Sequence, residues 1–198
     1  MHASGSFQVE HQRYTRVAIL IHWLTALFII TNLVLGHVME GASPALKPIL
    51  IPLHIWIGLS VLLLTAVRVV WRLIHKRPPY PPRYTPSELR LAGMVHTIFY
   101  TLMIAMPVIG YLLISANPPN PQRHLTFWGI IPLPYPASLQ NMDRPAQIVL
   151  HDQFVAAHAI GGWIVVGALA LHLAGVVKHQ FLDRTNILDR MNPFGRSA

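Results

Sequence analysis

Residues 153–177 read QFVAAHAIGGWIVVGALALHLAGVV, an apolar run from Gln153 to Val177 that carries no formal charge yet holds His158 and His172. The two lie two heptads apart, so a helix turns both imidazoles to nearly the same side, about 21 Å apart along its axis. One helix therefore offers two inward nitrogen ligands at two depths. Three other apolar runs carry a histidine at one or other of those depths, the pattern of a transmembrane holder for two stacked metal-centred groups.

The rest of the composition agrees with a membrane setting. Of 198 residues, 53% are hydrophobic and 11% charged, against roughly a quarter charged in a soluble domain, and the mean hydropathy is +0.45. The chain has no cysteine and twelve histidines. Disulfides, thiolate-held clusters and covalent c-type haem are thereby excluded, and imidazole is left as the main metal ligand. The formal charge of +8 is accounted for by membrane topology, given below, and nucleic acid is not an expected partner.

Four spans are expected, at about residues 17–38, 49–71, 91–115 and 153–177, forming one membrane domain over residues 1–198. Each is long enough to cross about 30 Å of hydrocarbon. The first follows a basic segment, as a signal peptide would, but it is long for a signal core and contains His22 and Trp23. Pro107 is expected to kink the third span. Between the third and fourth spans lies the longest loop, residues 116–150, rich in proline and aromatics and expected to form an ordered lid at the membrane surface.

Four spans put both termini on one side. Arg13, Arg16, Arg68, Arg72, Lys76, Arg77, Arg83, Arg90, Lys178, Arg184, Arg190 and Arg196 fall on that side, against Lys47, Arg123 and Arg144 on the other. The positive-inside rule then places both termini in the cytoplasm.

A histidine inside a span is costly, so it is by default a functional residue. His54 and His158 each sit about five residues in from the outer end of their runs, and His22 and His172 about as far from the inner end. His96 shares the depth of His22 and His172, so spacing alone leaves the inner pairing open. The two-heptad offset recurs in every span: His22 with Gly36, His54 with Arg68, His96 with Gly110, and His158 with His172. Arg68 falls on the face of His54 at the inner level, where a buried guanidinium needs an anion such as a haem propionate. Imidazoles in facing pairs suit a six-coordinate haem iron, whereas zinc would gather four ligands together.

The segments YTRVAILIHW, LHIWIGLSVLLLTAVRVVWRL and HTIFYTLMIAMPVIGYLL, and His158 with His172 followed by KHQFLDRTNILDRM, resemble the bacterial cytochrome b561 family, in particular its short members that act as superoxide oxidases. The resemblance covers essentially all four spans. It implies an all-α integral membrane four-helix bundle of the bacterial inner membrane, enclosing two b-type haems. His22 and His172 would ligate the inner haem and His54 and His158 the outer one, with His96 not a ligand.

By the same resemblance, electrons would pass from periplasmic superoxide through the two haems to ubiquinone or another membrane quinone. Arg123 and Arg144 are the outer residues expected to attract the superoxide anion, and Trp23, Lys178 and His179 the inner ones expected near quinone. The loop sequence PPNPQRHLTFWGIIPLPYP is longer and richer in proline than is expected of the superoxide-oxidising members. The alternative reading is an electron-transfer subunit linking quinone to a partner dehydrogenase or hydrogenase.

Overall fold

A computed structural model describes residues 13–117 and 125–194. Helix α1 spans Arg16–Gly41, α2 Lys47–Ile74 and α3 Pro86–Ser115. A hairpin of two short antiparallel strands follows, β1 (Thr126–Phe127) and β2 (Ile131–Pro132), then α4 (Ala137–Gln140) and α5 (Arg144–Val177). The last helix runs on through a single π turn, Lys178–Leu182, and the chain closes with a 3-10 turn at Ile187–Met191. The molecule is thus mostly helical, with four helices long and apolar enough to cross a membrane, suited to a transmembrane bundle.

Every one of the four outreaches its apolar run, and three of them begin at a polar capping residue. Thr15 accepts a hydrogen bond from Ala18 N through Oγ1 (3.3 Å) and starts α1. Thr85-Pro86-Ser87-Glu88 forms a capping box: Glu88 N donates to Thr85 Oγ1 (3.3 Å) and Thr85 N to Glu88 Oε2 (2.8 Å), with Pro86 at the first helical position. Hence α3 starts at Pro86 rather than Leu91. Asp143 accepts from Ala146 N (3.3 Å) ahead of Pro145, so α5 starts at Arg144 rather than Gln153 and the loop ends correspondingly early. Arg144 and Asp152 are the charges that interrupt the apolar pattern there.

The chain divides into two compact units. Among the described residues, a terminal unit holds 13–25, Leu64–Thr101 and 165–194; a loop unit holds Ala26–Leu63, 102–117 and 125–164. In the terminal unit Ile19, Val95 and Ala168 are buried together with Thr25, Thr65 and Thr185; in the loop unit Ile57, Val61 and Met103 are, together with Ser60, Ser115 and Gln147. The largest fully buried side chains among the described residues are threonines and a serine, while leucines such as Leu20, Leu27 and Leu63 face outward. That is the reverse of a water-soluble core, as expected where the surrounding solvent is hydrocarbon.

Candidate functional site

In the loop unit, α2 carries His54 and α5 carries His158, and their rings face each other with centres 6.0 Å apart and planes at 71°. Two metal–nitrogen bonds of about 2 Å, plus about 1 Å from each nitrogen to its ring centre, span roughly 6 Å. At this spacing His54 and His158 could together hold one metal ion between them. Nδ1 of both rings is buried without a well-formed hydrogen bond. The backbone of Asn32 lies close to the His54 ring and that of Met106 close to the His158 ring. An Nδ1–H held by a carbonyl leaves Nε2 with the lone pair a metal needs.

Two glycines border this arrangement, Gly110 more closely than Gly36. A Cβ at Gly110 on α3 would stand 3.1 Å from His158 Cε1, and one at Gly36 on α1 would stand 3.5 Å from His54 Cε1. These glycines occupy the positions two heptads from His96 and His22, and each lets a helix backbone lie directly against an imidazole of the loop unit.

The terminal unit repeats the pair with different neighbours. His22 of α1 and His172 of α5 have ring centres 6.4 Å apart at 60°, a spacing at which they too could hold one metal ion. A third imidazole, His96 of α3, stands perpendicular to His172 with centres 5.6 Å apart, and Phe99 lies edge-on at 5.8 Å. Nδ1 of His96 donates to the Ala92 carbonyl at 2.6 Å, one turn back on its own helix. Arg68 reaches His22, with Nη2 3.3 Å from Nδ1, and its guanidinium lies 5.6 Å over the Tyr100 ring. A guanidinium can only donate, so in this arrangement Nδ1 of His22 is the acceptor.

The π turn that ends α5 gathers Lys178 and His179 into an ionic cluster. Lys178 Nζ donates to Glu88 Oε1 at 2.5 Å and to Asp183 Oδ2 at 2.6 Å, and His179 Nδ1 lies 2.7 Å from the same Asp183 oxygen. His179 also stacks on Tyr84, with centres 4.2 Å apart. The hydrogen bond from Lys178 holds the Asp183 carboxyl below the usual carboxylate range; His179 adds to this and desolvation opposes it. Burial pushes the Tyr84 phenol up. π turns are frequent at functional sites because they re-aim the side chains of an ending helix.

The remaining expected residues are placed as follows. Trp23 lies edge-on to His22, centres 5.5 Å apart, half-exposed, with its indole N–H donating to the Met191 carbonyl at 2.7 Å. Arg144 is exposed at the first turn of α5. Arg123 lies outside the described residues. Glu88, Asp183 and Tyr84 were not singled out by the sequence. The Thr-x-x-Glu capping box and the i,i+4 relation of His179 to Asp183 were the signals that could have found the first two.

Comparison with known proteins places the sequence in a family. A sequence model described as prokaryotic cytochrome b561 matches residues 13–193. Among similar curated proteins, the probable superoxide oxidase CybB of Yersinia pestis is 27% identical over 183 residues, 92% of this chain and 97% of that protein. Cytochrome b561 homolog 2 of Escherichia coli K12 is 28% identical over 195 residues, 98% and 97% of the two chains. Cytochrome b562 of Cereibacter sphaeroides is 33% identical over 103 residues, 49% of this chain and 63% of that one. With four apolar helices and a match over nearly its whole length, the chain belongs to the prokaryotic cytochrome b561 family, multi-pass membrane proteins of b-type haem electron transfer.

Proposed function

We propose that this protein is a two-haem oxidoreductase of the bacterial inner membrane that oxidises superoxide on the side of the long loop and reduces membrane quinone on the side of the termini. The observation that carries the reading is the duplicated imidazole pair, with ring centres 6.4 Å apart in the terminal unit and 6.0 Å in the loop unit. His22 and His172 would hold one haem b, His54 and His158 the other. When bound between two imidazoles, haem b supplies one-electron transfer with no open position on the iron. The name of the Yersinia pestis relative supports superoxide as donor. Two superoxide anions lose one electron each and leave as dioxygen; quinone gains two electrons and two protons and leaves as quinol.

The chain's own residues have separable tasks in this scheme. The twelve-to-three distribution of basic residues supports cytoplasmic termini. Arg144 and Arg123, on the opposite side, would raise the local concentration of a small anion. An imidazole that binds a metal through Nε2 needs Nδ1 as a donor, so the Arg68–His22 contact and metal ligation exclude each other. A haem propionate is the acceptor that would draw Arg68 away. Lys178 and His179, tied to Glu88 and Asp183, are donors able to pass protons to a quinone oxygen at the membrane surface, and Trp23 offers a flat apolar wall beside them.

The deciding experiment is quinone reduction by the purified protein in detergent under a superoxide flux, followed together with the haem absorption bands. Both haems should reduce and quinol should accumulate. If dithionite reduces the haems while superoxide leaves them oxidised, the donor assignment is wrong. Co-purification with a large dehydrogenase or hydrogenase would then identify an electron-transfer subunit.

A further inference from the structure

The long loop, rich in proline and aromatics, does more than connect two helices. The hairpin β1–β2 packs on α2 through two tryptophans: Trp56 Nε1 donates to the Thr126 carbonyl at 2.7 Å and Trp128 Nε1 to Ser60 Oγ at 3.1 Å, with the two indoles 5.5 Å apart. Ser60 lies thirteen residues into α2, which is about 20 Å along the helix axis from Lys47. The hairpin tip thus reaches well past the end of the helix.

The face of α2 that it covers is informative. Trp56, Ser60 and Leu63 follow one another at i, i+4 and i+7 and share one stripe. From Pro52 to Leu62 no residue of α2 is exposed, whereas Leu63, the next position on the stripe, is 56% exposed. In a chain that crosses a membrane, such a bare aliphatic position meets lipid hydrocarbon, so the hairpin begins where lipid contact leaves off. Its own outward side chains are apolar too: Ile130 is 82% exposed and Ile131 53%, beside the half-exposed Trp128.

Its backbone is also prepared for a medium without water. Ile130 N donates to the Phe127 carbonyl at 3.1 Å and Leu133 N to the Leu125 carbonyl at 2.9 Å. In IPLPYP, residues 131–136, every second residue is a proline with no N–H to satisfy. Trp128 and Gly129 at the tip have φ of 50° and 70°, the signs of a type I′ turn. That conformation is strained for a tryptophan, and it holds the indole N–H onto Ser60. Hydrocarbon tolerates non-helical backbone only where its polar groups are paired against protein.

We propose that the hairpin Thr126–Pro132 is a re-entrant element immersed in the loop-side leaflet, with Ile130 and Ile131 in contact with lipid acyl chains, rather than a lid in water above the membrane. The absence of cysteine makes the test clean. A nitroxide would be attached to the single-cysteine variants Ile130→Cys, Leu63→Cys and Ser138→Cys of the haem-loaded protein in phosphatidylcholine vesicles. Collision rates with dioxygen, which concentrates in hydrocarbon, and with a water-soluble nickel chelate would be compared. At residue 130 the ratio of dioxygen to nickel collisions should match that at 63 and exceed that at 138 several-fold. A ratio at 130 equal to that at 138, or one placing the label no deeper than the lipid phosphates, would overturn the proposal.

Discussion

The two units use the same pair of facing imidazoles in opposite surroundings. In the loop unit His54 and His158 are backed by Gly36 and Gly110, so bare helix backbone lies against each ring. In the terminal unit His22 and His172 are ringed by side chains that can carry charge or proton: Arg68 on His22, His96 beside His172, Tyr100 under the guanidinium. One site is defined by what has been removed and the other by what has been added. Geometry fixes the spacing in both, while the neighbours set how each responds to charge.

Removing ligands tests that comparison most severely. On the proposed assignment, His158→Ala should abolish the haem of the loop unit and leave the other, and His172→Ala should do the converse, each retaining about half the haem of the parent by haemochrome assay. Retention of the full complement in either variant would break the pairing. Next in size, Gly110→Ala would place a methyl group 3.1 Å from His158 Cε1, an overpacking that costs about 1–3 kcal/mol. It should lower occupancy of the loop-unit haem, and Gly36→Ala, at ordinary contact distance, should lower it less. Equal losses in the two variants would show that the glycines do not act through the rings.

Charge should matter in the terminal unit alone. Arg68→Gln removes a cation beside His22, which disfavours the more negative, reduced state. The midpoint potential of that haem should fall by on the order of 50 mV, about tenfold in a one-electron equilibrium, with the loop-unit haem unmoved in the same redox titration. A fall in both potentials would dissolve the distinction between the units.

The smallest effect concerns acid. Asp183 has its folded-state pKa depressed, chiefly by Lys178. Its contribution to holding the tail is therefore present above the ordinary aspartate value of about 3.9 and is lost as pH falls through the lower folded value. Tyr84 emission, isolated by difference against Tyr84→Phe, should report loosening of the tail only in that acidic range. Asp183→Asn should show the loose signal already at neutral pH.

The two-heptad spacing of His158 and His172 pointed to two imidazole pairs, and the structure brings His22 to His172 and His54 to His158. It works because a membrane helix is straight, charge-poor and long, so periodicity is not blurred by loops. The same simplicity hid the helix ends: Glu88, Asp143 and Arg144 belong to caps and first turns, where polar residues stabilise a helix that hydropathy treats as finished. The contact of Trp128 with Ser60 was illegible for a different reason. It joins residues 68 positions apart through a strained turn, and no local period reports a pairing of that kind. His96 is a third case: its depth matched two partners, and in space its ring meets His172 at 5.6 Å and 88°, against 6.4 Å and 60° for His22.

The carboxylate of Glu88 has one further consequence. One of its oxygens closes the capping box that begins α3, and the other receives Lys178 at the end of α5. A single side chain thus ties the opening of one helix to the closing of another, so that fraying of the third helix and release of the C-terminal tail are one cooperative event. Amide exchange should reveal it: the first-turn amides of α3 and those of Asp183 and Thr185 should share one opening rate, and Glu88→Gln should separate them.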